Sequence, residues 1–238
     1  MAETIPETSP ETGPETGPET GPDTDLVLPC RNEAAALREL LPRVPAALSV
    51  IVVDNGSTDG TADVARAQGA RVVSESRPGY GAAVHAGLLA ATAPYVVVMD
   101  GDGSFDPLDA LSLVEPIRRD EADLTLGCRR PVTAGAQPWH AKAGNRFVLS
   151  ALRRRTGLRV RDIAPMRAAR REALLGLGVE DRRSGYPVEL LDRAGRAGWR
   201  VHEIDVDYHP RTAGTRSKVS GSVRGSLVAA YDFWRVLS

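Results

Sequence analysis

The chain reads as an α/β protein with a mostly parallel central sheet covered by helices on both faces, preceded by an unstructured tail. Three observations predict this. From Asp25 onward short apolar runs alternate with helical segments, the pattern of a parallel sheet with crossover helices. A length of 238 residues with 42% hydrophobic content suffices for one sizeable core, hence one domain over 25–238. The first 24 residues, MAETIPETSPETGPETGPETGPDT, repeat a Pro-Glu-Thr unit about every four positions, and such a composition buries too little apolar surface to offset its ordering entropy.

Taken in order, LVLP predicts a first strand and a helix follows from about Glu33. SVIVV is the second strand, a helix starts near Thr58, and ARVV is the third strand. A helix over Gly81 to Ala91 leads to the strand YVVVM, and another over Pro107 to Arg119 leads to DLTLG. The Gly- and Pro-containing connection PVTAGAQP precedes a long helix from about Trp139, the strand-like IAPMRA, a helix from Gly185 to Ala197 and the strand RVHEIDVDY. After the polar loop HPRTAGTRSK, a last helix from about Val219 carries Val219, Val223, Leu227, Ala230, Tyr231, Trp234 and Leu237 at three- and four-residue steps, one apolar stripe. That stripe either packs on the sheet or lies, with Arg224 and Arg235 beside its aromatic end, at a membrane interface.

Cys30 and Cys128 show neither CxxC nor Cys/His spacing, so a disulfide framework or zinc site is not indicated and a reducing cytoplasm fits. The four histidines form no ligand spacing either. The N-terminus has no basic flank and no apolar stretch, which excludes a signal peptide or anchor there, and no membrane span is evident elsewhere. The net charge of -1 hides an asymmetry: residues 1–128 carry 8 basic and 21 acidic groups, residues 129–238 carry 22 and 10. A basic C-terminal half suits phosphates or an acidic lipid surface, although 28 arginines against 2 lysines also reflects a coding bias. Nothing points to nucleic acid.

The sharpest local feature is VVVMDGDGSFDP, where a buried strand runs into Asp100 and Asp102, two like charges separated by Gly101. Their repulsion needs relief from water, a donor or a cation. An EF-hand does not account for the pair, because its sixth and twelfth positions would be Phe105 and Leu111. PGYGAAVHAG resembles a dinucleotide fingerprint, but Val84 replaces its third glycine and SESRP separates it from a strand. No GxxxxGKS loop exists. Ligands of such sheets bind outside the carboxyl ends of the strands, and three acidic or amide clusters fall there: Asn32 with Glu33, Asp54 with Asn55, and Asp100 with Asp102. Asp59, in DNGSTDGT, is placed to cap the next helix.

The succession LPCRNE, VVDNGSTDGT, GYGAAVHAGL and VVVMDGDGS resembles the nucleotide-sugar-binding half of family 2 glycosyltransferases, enzymes of the GT-A (Rossmann-like) fold. More narrowly, GYPVELLDRAGRAGWRVHEIDVDYHPRTAGTRSKVSGS resembles the polyprenyl-phosphate (dolichyl-phosphate type) mannosyl- and glucosyltransferases. The resemblance implies that Pro29, Asn32, Glu33 and Asp54 hold the nucleotide. It implies that Asp100 and Asp102 form a DxD motif binding Mg2+ or Mn2+ on the donor diphosphate, with Asp102 central to catalysis and Ser104 at the place of a third ligand. Arg129, Arg146, Ser150, Arg211 and Lys218 become candidates to hold an acceptor phosphate. A phosphate acceptor is already anionic near pH 7 and needs no strong base.

Two departures bear on the acceptor. Where many relatives acting on hydroxyls place a Glu-Asp pair, GYPVELL offers only Glu189, read as an organiser of the site with a catalytic base role as the alternative. DIAPMRA replaces a Gly-containing stretch frequent in the dolichyl-phosphate enzymes. The expected activity is metal-assisted, inverting transfer of a hexose from a GDP-mannose- or UDP-glucose-type donor to a polyprenyl phosphate, by a cytoplasmic protein touching the inner membrane face. The alternatives are a soluble or secondary-metabolite acceptor, or an idle nucleotide-sugar-binding module.

Overall fold

The computed structural model describes residues 21–133 and 139–212, together with 232, 233 and 235. The tail expected over 1–24 lies outside these for residues 1–20, but its last residues belong to the fold. The first strand, β1, already spans Thr24–Cys30, the Tyr95 N–H donates to the Asp23 carbonyl, and the Asp23 carboxylate pairs with Arg118.

The elements follow as α1 (Ala34–Leu40), β2 (Leu48–Asp54), α2 (Thr61–Ala67), β3 (Arg71–Ser74), α3 (Tyr80–Ala90), β4 (Tyr95–Val98) and α4 (Asp109–Arg118). Then come β5 (Leu124–Pro131), α5 (Trp139–Thr156), β6 (Met166–Arg170), α6 (Arg171–Gly176), α7 (Tyr186–Arg196) and β7 (Val201–Tyr208). Two pieces have no counterpart in the sequence reading, α6 and a 3-10 turn over Leu41–Arg43. Both are shorter than two turns of helix, too short to show a period.

The seven strands lie in the order β3-β2-β1-β4-β6-β5-β7. Only β6 is antiparallel, to both β4 and β5, so the sheet is mostly parallel as predicted. The inner strands β1, β2 and β4 bury both faces and therefore read as continuous apolar runs rather than alternations, whereas the edge strands β3 and β7 stay partly exposed. One face packs Leu26, Leu28, Val52, Val97 and Met99 against Leu37 and Leu40 of α1 and Leu113, Val114 and Ile117 of α4. The other packs Val27, Val53, Val96 and Val98 against Val84 and Leu88 of α3, Leu152 of α5 and Leu191 of α7.

The order of strands fixes where a ligand can enter. The chain lays down β1, β2 and β3 moving outward, then returns to place β4 on the free side of β1, which makes the carboxyl ends of β1 and β4 a topological switch point. Because β6 runs the other way, the segment entering it, Asp162 to Pro165, reaches that same edge. Pairing of Val98 with Arg167 brings it beside the end of β4.

Candidate active site

Three loops meet at the switch point. Asn32, just past β1, adopts a left-handed backbone at φ 56°, its N–H donates to the Ser57 hydroxyl (2.9 Å) and its side-chain oxygen accepts from the Thr58 N–H (2.8 Å). Asn is among the residues that visit this region most readily. Asp59 does more than cap α2. It takes the N–H and hydroxyl of Thr61 on one oxygen and the Ala34 N–H at the start of α1 on the other, locking the loops after β1 and β2 together. Burial pulls its carboxyl upward, yet these donors win and hold it below the ordinary range. Asp54 accepts from the Ser57 N–H, and buried Asn55 ties the 75–79 segment through the Glu75 and Arg77 carbonyls and the Gly79 N–H. Pro29 sits near the end of β1, partly buried, and Glu33 is buried with its N–H on the Thr61 hydroxyl.

The expected DxD pair stands at the centre. Asp102 is 2% exposed; one oxygen accepts from the Ser104 N–H (3.0 Å) and the other lies 3.0 Å from Arg211 Nε. Asp100 is raised to about 6, by burial first and then by the charge of Asp102, against the opposing pull of Arg211, Arg167 and Arg129. The two glycines of the turn, Gly101 between the carboxylates and Gly103 after them, are dictated by space. A Cβ on Gly101 would stand 2.4 Å from Cys30 Sγ, and one on Gly103, at φ 80°, would stand 2.4 Å from Thr212 Oγ1. The turn is thus wedged between β1 and the segment after β7, where the Thr212 N–H donates to the Asp102 carbonyl and the His209 N–H to the Ser104 carbonyl.

Among the described residues no group of three His, Cys, Asp or Glu side chains forms a metal cage. The donor set nevertheless fits a hard cation that keeps waters and phosphate oxygens in its shell, since Mg2+ takes only one or two carboxylates from a protein. A further fit is the Ser104 hydroxyl, buried at the same turn with no hydrogen-bond partner among the described residues. Asp100, Asp102 and Ser104 are therefore the residues that would hold Mg2+ or Mn2+.

The residues expected around an acceptor phosphate divide. Arg211 reaches the turn directly, through Asp102. Arg129 is near enough to act on Asp100 electrostatically, but its guanidinium is gripped by both oxygens of Asp162 (2.8 and 2.6 Å) and lies over the Tyr208 ring. Arg146 and Ser150 stand exposed, four positions apart on α5. Lys218 lies outside the described residues.

The Glu189 oxygens accept from the Glu180 N–H (3.0 Å), the Asp181 N–H (2.6 Å) and Arg193 Nε (2.7 Å). So engaged, Glu189 ties the 180–181 segment to α7, which is the organising role expected of it. The loop it shapes supplies the Arg182 and Arg183 carbonyls that receive the N–H groups of Ala82 and Gly81 at the start of α3. Of the terminal helix, Asp232 is buried against the Ser184 N–H and Arg183, Phe233 packs on the α3/α5/α7 core, and Arg235 pairs with Asp181. These three positions contact the domain, but none belongs to the apolar stripe, whose seven residues lie outside the described residues.

Sequence reasoning missed Asp162, Tyr80 and Arg167. The Arg167 side chain is 3% exposed and donates to the Tyr80 hydroxyl (3.3 Å) and the Ile163 carbonyl (3.4 Å). Burial pushes the Tyr80 hydroxyl up to about 12, so it stays protonated. In a chain with 28 arginines, one more inside IAPMRA gives no signal.

Comparison with known proteins agrees with this geometry. The model of the family described as Glycosyl transferase family 2 matches residues 25–177. An uncharacterized glycosyltransferase of Mycobacterium tuberculosis is 58% identical over 213 residues, covering 90% of this chain and 97% of that one. The undecaprenyl-phosphate mannosyltransferase of Micrococcus luteus is 30% identical, covering 87% and 92%. Among solved structures, glucosyl-3-phosphoglycerate synthase of M. tuberculosis in complex with Mn2+, UDP-glucose and phosphoglyceric acid superposes with a TM-score of 0.71 at 26% identity, over 90% of this chain and 78% of that one.

Proposed function

We propose a reaction from the premise that this chain belongs to glycosyltransferase family 2 and is a glycosyltransferase: it moves a hexose, with inversion, from a nucleotide diphosphate sugar of UDP-glucose or GDP-mannose type to the phosphate of a polyprenyl phosphate. The observation that carries the donor half is the Asp100–Gly101–Asp102 turn at the switch point, flanked by Asn32, Glu33 and Asp54 and faced by Arg211. A bound Mg2+ or Mn2+ would supply Lewis-acid stabilisation of the charge that gathers on the departing nucleoside diphosphate. Asp100, Asp102 and Ser104 would hold that cation at the diphosphate end of the site, while Pro29, Asn32, Glu33 and Asp54 fix the nucleoside. Arg211 lies close enough to steady an anionic oxygen beside Asp102.

The acceptor half is supported by three things: the basic C-terminal half, the M. luteus relative named for undecaprenyl phosphate, and the commitment of Glu189 to backbone donors, which leaves it poorly placed as a base. An acceptor phosphate brings its own anionic oxygen. Such an acceptor would place the protein at the cytoplasmic membrane face; among the described residues no helix is long and apolar enough to cross a membrane. A second reading, a small phosphorylated acceptor, is favoured by the synthase complex holding phosphoglyceric acid. The test is transfer from radiolabelled UDP-glucose and GDP-mannose, with Mn2+, to undecaprenyl phosphate in vesicles and to phosphoglyceric acid in solution. Label in the lipid supports the first reading, label in the small molecule the second, and label in neither counts against both.

A further inference from the structure

Arg167 lies in a place where an arginine is costly. On β6 its neighbours Met166 and Ala168 face the α1/α4 core, so Arg167 projects to the other side, the face of Ala169 and of its register partner Val98. Burying a cation in such surroundings is unfavourable unless its donors are met. No carboxylate within hydrogen-bond reach of it appears among the described residues, and its Nε–H is buried without a partner there.

What Arg167 does touch is informative. One terminal nitrogen donates to Tyr80, the first residue of α3, which stands beside the Asp100 turn. The other donates to the Ile163 carbonyl in the segment entering β6. That segment carries Asp162, whose carboxylate grips Arg129, and Ala164, buried at φ 49°, where an alanine stays only if its surroundings hold it. Asn145 of α5 holds the same segment, accepting from the Ile163 N–H.

We propose that Arg167 is a positioning residue coupling the two halves of the site. It fixes the donor-side turn at the start of α3 and the acceptor-side segment that presents Arg129, so the metal–nucleotide site and the proposed phosphate site keep one spacing. Arg suits this because its planar fork aims two nitrogens in different directions, whereas a lysine has one point of contact. The inference rests on the transferase reading for what the two halves bind, and on the hydrogen bonds alone for the coupling.

The experiment uses the full chain with Arg167→Met and Arg167→Lys. Amide hydrogen exchange is followed in peptides covering 79–84 and 161–168, and affinity for Mn2+–UDP and Mn2+–GDP is measured beside it. In Arg167→Met, exchange should rise at least about tenfold in both peptides while β1 and β2 keep wild-type protection, and affinity for whichever nucleotide the wild type binds should fall severalfold. Arg167→Lys should recover one peptide and not the other, with partial return of affinity at a melting temperature close to that of Arg167→Met. A rise in one peptide only, or in neither, with Met overturns the coupling, as does nucleotide affinity that simply follows melting temperature across the variants. If Arg167→Met does not fold, wild-type exchange in both peptides of Arg167→Lys overturns it. A wild type that binds neither nucleotide counts against the transferase reading, and the exchange data then decide the coupling by themselves.

Discussion

Asp162, the first residue of DIAPMRA, drew no notice in the sequence, yet its pairing with Arg129 is among the most buried ion pairs described around the site, with side chains 10% and 22% exposed. Burial would raise the Asp162 carboxyl, but the hydrogen bonds and charge of Arg129 outweigh it and hold the group below its ordinary range. A carboxylate lowered on folding adds stability that is fully present above its unfolded value and is lost as pH falls towards the folded one. From about pH 5 down to about pH 3, the wild type should therefore lose more stability than Asp162→Asn, which has no such proton to take up. Chemical denaturation across that range checks this, and equal acid slopes would contradict the pairing. A second residue-scale outcome concerns Gly101. With Cys30 Sγ 2.4 Å from where a Cβ would sit, Gly101→Ala should cost about 1–3 kcal/mol by overpacking and weaken metal–nucleotide binding by shifting Asp100. Adding Cys30→Ala should recover part of both losses; no recovery in thermal melts of the double variant would place the strain elsewhere.

At the scale of elements, the sequence showed most of what it had means to show. The apolar runs LVLP, SVIVV and YVVVM became β1, β2 and β4, because strands buried on both faces need unbroken apolar character. The paired carboxylates at Asp100 and Asp102 were legible because their like charges have no structural reason to adjoin. Asp59 was legible as a cap but not as the clasp between α1 and α2, since its second partner, Ala34, is 25 residues away. Arg167 and Tyr80 were illegible for the same reason: they meet across 87 positions, and only the antiparallel placement of β6 brings them together. The terminal helix is a further case. Its apolar stripe, which allowed either core or membrane, lies outside the described residues, while Asp232 beside it is buried on Ser184 and Arg183 of the loop before α7. Asp232→Ala should accordingly lower stability by about 1–3 kcal/mol, roughly 2–12 °C in a domain of this size. A melting temperature unchanged in differential scanning calorimetry would show that the docking contributes nothing.

The whole molecule is built on one sheet in which the step from β1 to β4 opens the site, lined by the acidic and amide residues of the loops after β1, β2 and β4 and faced by Arg211. The Pro-Glu-Thr repeat lies outside that arrangement. Its composition offers no apolar surface to pack, so deleting residues 1–20 should leave both melting temperature and transfer close to wild type, provided that Asp23 and its pairing with Arg118 are kept. A loss of several degrees in a thermal melt would show that the repeat docks on the domain. The central claim is that Asp100 and Asp102 bind a nucleotide sugar through a divalent cation, and isothermal titration of UDP-glucose and GDP-mannose into wild type and Asp102→Asn, each with Mn2+ and with EDTA, tests it most directly. One of the two donors should bind the wild type only when Mn2+ is present, and Asp102→Asn, still folded by circular dichroism, should weaken that binding by at least about 100-fold, the upper end of what loss of a mere outer-shell partner costs a metal site. Binding of equal strength in EDTA, or in folded Asp102→Asn with Mn2+, would contradict the account.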